Sequence, residues 1–172
     1  MNQKSLPQKT IRKSDVNRIF KNIQFVPETT EIPFPQADSF ERLIELFFLL
    51  LKEDLTKDEI TEKCAFDSRQ TGYYTAAGRY LELIEKDINL FQLTAEARTI
   101  LAKNQKTKNL ALIKKVLEHQ VFYEAFKLTL DSGEIPSKKS IVEIMSQLNL
   151  DMSDSTKERR SSTVRGWISW IW

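Results

Sequence analysis

Cysteine occurs once, at Cys64, and histidine once, at His119, in a chain of 172 residues. A single thiol excludes an internal disulfide and fits a reducing compartment. Together the two residues are too few for a zinc ribbon, a His pair for zinc, or a Ser-His-Asp or Cys-His set with spare members. Cys64 reads as a small buried core residue, and His119 as a partly buried or surface histidine. Glycine and proline are also scarce, four and five, so long ordered segments with short connections are expected. No Gly-rich loop is available to cradle a phosphate. Many nucleases hold a divalent metal with an acid two residues before a lysine. No Asp or Glu here has Lys at that spacing, and Glu158-Arg159-Arg160 comes nearest. The pairs Glu53-Asp54 and Asp58-Glu59 read as helix N-terminal charge. The chain by itself is therefore expected to be non-catalytic, with no cofactor, no metal and no small-molecule substrate. The most apolar run, Leu43 to Leu51, is nine residues long, against the roughly 20 needed to span a bilayer. No secretory signal opens the chain. The expectation is a cytoplasmic protein with no membrane partner.

The charge that is present is unevenly spread. Net charge is +2, but Met1 to Phe25 sets six basic residues against Asp15 alone. Val26 to Glu62 sets ten acids against Arg42, Lys52 and Lys57. From Ser155 onward, Lys157, Arg159, Arg160 and Arg165 face only Glu158. Basic ends around an acidic middle suggest a polyanion partner.

Pattern along the chain predicts a mainly α fold. Met1 to Thr10 reads as a loose tail. Ser14 reads as the cap of a short helix with Val16, Ile19 and Phe20 at helical spacing. "QFVPETTEIPFPQ" carries three prolines, which forbid a helix and favour an extended arm. Ser39 caps a helix with Phe40, Leu43, Ile44, Phe47, Phe48 and Leu51 on one face. Thr56 and Glu59 form a capping box opening a short helix with Ile60 and Cys64 inward. Another helix starts at Ser68, with Ala77, Tyr80, Leu81 and Ile84 on its apolar side. "EKDINLFQLT" suits a short hairpin, and Thr94 caps a following helix. One long helix is expected from Lys108 to Leu130, ended by "DSG". Ser137 caps the next, with Ile141, Ile144, Met145 and Leu148 inward, and a closing helix runs from Ser155.

The halves repeat. Asp67-Ser68 matches Asp154-Ser155, and Ala77, Tyr80, Leu81 and Ile84 match Val164, Trp167, Ile168 and Ile171. Thr56 and Ile60 correspond to Ser137 and Ile141 in the same way. The expected organisation is two tandem helix-turn-helix units. Residues 1–38 form a basic tail, short helix and Pro-rich arm. Residues 39–107 form a first winged helix-turn-helix with a short β-hairpin, and 108–172 a second helix-turn-helix.

The closing helix is built as a recognition helix would be. Val164, Trp167, Ile168 and Ile171 make an apolar stripe in its C-terminal half. Lys157, Arg159, Arg160, Ser162 and Thr163 lie in the N-terminal half, where Arg and Lys reach guanine edges or phosphates and hydroxyls reach either. Ser68, Arg69, Gln70, Thr71 and Tyr73 occupy the equivalent face of the first unit. That unit is less basic; it reads bases, packs against a partner, or supports the second.

"FDSRQTGYYTAAGRYLELI" followed by a wing, and then "STKERRSSTVRGWISWI", resembles the tandem winged-helix modules attached to type II restriction endonucleases of the type IIS kind. The most specific part is the Arg-Arg-x-x-Thr-Val-x-x-Trp-x-x-Trp pattern from Arg159 to Trp170. The resemblance implies sequence-directed binding of double-stranded DNA, with Arg159, Arg160, Ser162 and Thr163 facing the duplex. It also implies cleavage by a separate nuclease domain or subunit, since nuclease residues are missing from this chain. "WISWIW" leaves no room for a second wing, which reads as truncation of a longer protein or, failing that, as a wingless final module. Two other readings fit the pattern: a stand-alone winged-helix transcription regulator, and a helical protein-interaction module.

Overall fold

The structure, a computed structural model, describes residues 11–29 and 31–172. The tail expected over Met1 to Thr10 lies outside the described residues. The fold is mainly α. In chain order its elements are α1 (Lys13–Phe20), α2 (Phe40–Lys52), β1 (Leu55–Thr56), α3 (Lys57–Lys63) and α4 (Ser68–Tyr80). There follow β2 (Ile84–Asp87), β3 (Leu90–Leu93), α5 (Ala95–Leu101), α6 (Gln105–Leu117), α7 (Gln120–Ser132), α8 (Lys138–Gln147) and α9 (Asp154–Ile171). Among the described residues no helix is long and apolar enough to cross a membrane.

Local chemistry sets most helix starts. The hydroxyls of Ser39, Thr56, Thr94, Ser137 and Ser153 each accept from the backbone N–H three residues on. Each thereby satisfies one of the donors a helix start leaves unpaired. Glu59 returns the bond to Thr56, completing the expected box. Asp67 caps α4, its Oδ1 accepting from the N–H groups of Arg69 and Gln70. Gly133 ends α7 with φ +77, a left-handed conformation that glycine adopts without a Cβ penalty. α1 starts one residue before the expected Ser14 cap: Arg12 is its N-cap, and its N–H is taken by Asp15.

The single long helix expected from Lys108 to Leu130 is two helices. α6 stops at Leu117 and α7 begins at Gln120, with His119 extended between them. Neither proline nor glycine stands at the break. The arm makes it: Val26 N–H donates to the Glu118 carbonyl, and Glu28 receives the turned-in His119 ring at 3.2 Å.

The sheet is antiparallel in the order β1-β3-β2. Ile84 pairs with Leu93 and Asp87 with Leu90 across the hairpin, while Leu55 of β1 pairs with Phe91. The two-residue strand β1 was not expected. It is too short for periodicity to reveal.

One core runs through both halves, from Val16 to Ile168. Trp167, Phe40, Phe47, Phe122 and Phe126 are its largest fully buried side chains. Burying each is worth ~1.5–3 kcal/mol. Three of the four matched pairs behave alike: Ala77, Tyr80 and Leu81 are buried, as are Val164, Trp167 and Ile168. The fourth does not: Ile84 is buried in β2, past the end of α4 where it was expected, and Ile171 in α9 is only partly buried.

Candidate nucleic-acid interface

Trp167 anchors α9. Its indole stacks on Phe122 with centroids 4.9 Å apart and meets Phe40 edge-on at 5.1 Å. Its Nε1–H donates to the Ala37 carbonyl at 2.7 Å, so the polar atom of a fully buried indole is satisfied. Trp170 lies against Phe40 at 4.2 Å.

The extended arm just before α2 fastens the rest of the helix. Thr163 Oγ1 donates to Asp38 Oδ1 at 2.7 Å, and Arg160 Nη1 donates to Gln36 Oε1. Between them the backbones touch: a Cβ on Gly166 would lie 2.0 Å from the Asp38 carbonyl oxygen. Arg160, Thr163 and Trp167 are spaced as one helical face, and the segment Gln36 to Asp38 lies along it.

This arm corrects part of the expected duplex-facing set. Thr163 is fully buried beneath Asp38 rather than turned outward. Thr71 is fully buried too, its hydroxyl 2.7 Å from that of Thr61 on α3. Each hydroxyl ties its recognition-type helix to a neighbouring segment. Arg160 is half-buried. Lys157 folds back toward α8, its ammonium donating to Ser146 Oγ at 3.2 Å.

The other expected residues lie near one another. Arg159 and Ser68 are exposed, and Ser162 is half-buried. Arg69, exposed, donates to the Tyr73 hydroxyl at 3.2 Å. Gln70 spends its side-chain carbonyl on the Asp67 N–H. The N-terminal halves of α4 and α9 approach across Gln36 and Tyr73, leaving a cleft on either side. One, of about 360 Å³, is lined by Lys57, Ser68, Arg69, Tyr73 and Arg160 over an apolar floor that includes Phe34 and Ala76. No carboxylate lines it. The other, of about 560 Å³, sets Lys138 and Arg159 against Asp38 and Glu158, with Gln70, Tyr73 and Ser162 between.

Arg160 belongs to the smaller cleft. Burial, reinforced by the neighbouring charge of Arg159, pushes its guanidinium pKa below the usual arginine value. Its Nε is buried without a hydrogen-bond partner among the described residues.

Over Arg42 to Trp172 the sequence matches the model of a family described as a domain of unknown function, DUF7226. The chain belongs to that family. The matched segment takes in α3, α4, α8 and α9, which carry the cleft-lining helical residues, and begins after Gln36 and Asp38 of the arm. No curated protein and no solved structure matches the chain.

Sequence reading missed Phe34, Gln36, Asp38, Lys57, Ala76, Lys138 and Glu158 among the cleft residues. Two had a signal. Lys57 and Lys138 each follow a matched N-cap, Thr56 and Ser137, so the repeat placed a lysine at the first turn of both shorter helices. Gln36 and Asp38 lie in an arm without periodicity, and nothing in their spacing pointed to α9.

Proposed function

We propose that this chain binds double-stranded DNA through the face made by the N-terminal halves of α4 and α9. The observation that carries the reading is their convergence: two helices, each buried in its C-terminal half, bring Arg69, Arg159, Arg160 and Tyr73 to one surface, joined by Lys57 and Lys138. A cationic, hydroxyl-bearing face mounted on rigid helices can hold backbone phosphates and present guanidinium groups to base edges.

The first unit is a winged helix-turn-helix in this proposal. Support comes from the order α2, β1, α3, α4, β2, β3 and from the sheet order β1-β3-β2. α8 and α9 supply the second helix-turn-helix. The module serves a restriction endonuclease system as its recognition element, and a nuclease domain or partner subunit makes the cut. That last step rests on the resemblance of Arg159 to Trp170 and its surroundings to type IIS recognition modules.

Fluorescence anisotropy with a labelled random-sequence duplex tests the binding itself. Affinity should fall steeply between low and moderate salt as phosphate contacts release counterions. No binding at low salt overturns the reading. Selection from a random duplex pool then asks for sequence preference, and an unenriched pool removes the recognition role.

A further inference from the structure

Cations removed from water find different company in this fold: Lys108 on α6, buried, meets the Gln105 amide and the Phe48 ring, with no carboxylate paired to it among the described residues. Lys115 on α6 is buried, and three carboxylates surround it: Glu82 at 3.2 Å, Glu96 at 3.3 Å and Glu118 at 3.5 Å. Such a cation is held for structure, with its charge matched from within. Arg160 is half-buried and forms no ion pair among the described residues; Asp38 acts on it only at a distance, its carboxylate taking the Thr163 hydroxyl. One nitrogen meets the neutral Gln36 amide, and Nε meets no partner among the described residues. Removing a guanidinium from water without an anion is costly. Arg69 and Lys57, on the same cleft, form no ion pair among the described residues. Three cations therefore line a concave site whose lining holds no carboxylate among the described residues, Asp38 and Asp67 acting on Arg160 and Arg69 from beside it.

The site's shape and lining narrow the ligand class. Guanidinium groups match the oxygens of a phosphate in geometry as well as charge. The Tyr73 and Ser68 hydroxyls add neutral donors. The α4 backbone N–H groups nearest the cleft are taken by Asp67, so side chains rather than the helix end would hold the anion. Phe34 and Ala76 give the floor an apolar surface. A volume of about 360 Å³ falls within the ~300–1,000 Å³ of small-ligand sites.

We propose that the cleft between α4 and α9 binds the phosphate of a nucleotide, with Arg160, Arg69 and Lys57 as its counter-charges and the Phe34 floor against the sugar or base. The nucleotide arrives either as part of a nucleic-acid strand or as a free mononucleotide. The first source rests on the duplex reading above, and the second is independent of it.

The test uses the full chain and the variants K57Q, R69Q and R160Q. The first two alter exposed side chains and keep the experiment informative if R160Q fails to fold, which circular dichroism reports. Calorimetry measures binding of inorganic phosphate and of dAMP, and anisotropy measures binding of a labelled duplex. Weakening of dAMP or phosphate binding by about tenfold in R69Q or R160Q supports the site with a free source. Duplex binding weakened about tenfold, with a salt slope smaller by about one and no dAMP binding, supports it with a strand source. Duplex affinity unchanged in all folded variants, with no phosphate or dAMP binding, overturns the cleft proposal and leaves duplex binding to the neighbouring cleft of Arg159 and Lys138. Binding of dAMP without any duplex binding does the reverse. Absence of all three overturns both.

Discussion

Thr163, midway along α9, donates a 2.7 Å hydrogen bond to the carboxylate of Asp38, 125 residues earlier in the chain. The bond joins the helix bearing Arg159 and Arg160 to the arm that leads into α2. With Trp167 Nε1 on the Ala37 carbonyl, it sets how far α9 stands from α4, and so the width of both clefts.

Replacing Thr163 with Val keeps the shape and removes the hydroxyl. Asp38 is exposed and can turn to water, so the expected loss is about 1 kcal/mol of stability. Urea denaturation of the variant measures it. A midpoint equal to that of the unaltered protein would show that the contact contributes nothing to holding α9.

Gly166 should tolerate no side chain. An added methyl would meet the Asp38 carbonyl oxygen at 2.0 Å, where backbone rather than a flexible side chain must yield. Gly166→Ala is expected to cost about 1–3 kcal/mol by overpacking. It should also make the arm before Ser39 more open to proteolysis. A variant with the melting temperature and cleavage pattern of the original protein would place the arm elsewhere.

Arg159 and Lys138 face the larger cleft from α9 and α8. Arg159→Ala and Lys138→Ala should each weaken duplex binding and lower the salt slope by about one. Stability should stay within about 0.5 kcal/mol, as for surface changes away from packing features. Unaltered affinity and slope in the double variant would remove this cleft from the DNA-facing surface.

Tyr80 provides a pH signature from the core, where its ring meets Phe34 edge-on behind the smaller cleft. Its hydroxyl donates to Glu28 at 2.6 Å, and its ring stacks on His119 at 3.8 Å. Burial first, then the negative charge and hydrogen bond of Glu28, pushes its pKa well above the ordinary tyrosine value. Unfolded tyrosine loses its proton near pH ~10, while the folded phenol keeps it. The stabilisation is therefore complete below about pH 10 and is lost as pH rises beyond it. Tyr80→Phe should flatten that alkaline decline, at a cost of about 1 kcal/mol at neutral pH from the lost bond. Tyr74, also raised by burial, leaves a residual slope. Urea midpoints from about pH 8 to 11 make the comparison. An equally steep decline in the variant would put the linked proton on another group.

The helices were legible where their signals were local. Ser39, Thr56, Thr94 and Ser137 cap helices because a hydroxyl needs only the N–H three residues on. Phe40, Leu43 and Phe47 on α2, Ala77 and Tyr80 on α4, and Val164, Trp167 and Ile168 on α9 follow from the helical repeat, whereas the expected Phe48 and Leu51 are exposed with Leu46 and Leu50 buried in their place, and Ile84 belongs to β2 rather than to α4. The hairpin was readable from its two apolar runs and a turn between them. The same local reading joined α6 to α7, because the cause of their separation sits far away, at Val26 and Glu28.

For the candidate site, the sequence by itself determined which residues share a helix and which half of that helix is apolar. That was enough to bring Arg69, Tyr73, Arg159 and Ser162 to the surface on which two helices meet. Only the tertiary structure decided that Thr71 and Thr163 turn inward, that Lys157 lies back toward α8, and that Arg160 is half-covered by Gln36. The physical reason is that periodicity orders side chains around a helix axis and says nothing about what lies on each face. An extended arm has no such periodicity. Its place on α9 follows from a close backbone approach at Gly166, the Ala37 carbonyl, and two polar side chains that find partners more than a hundred residues away.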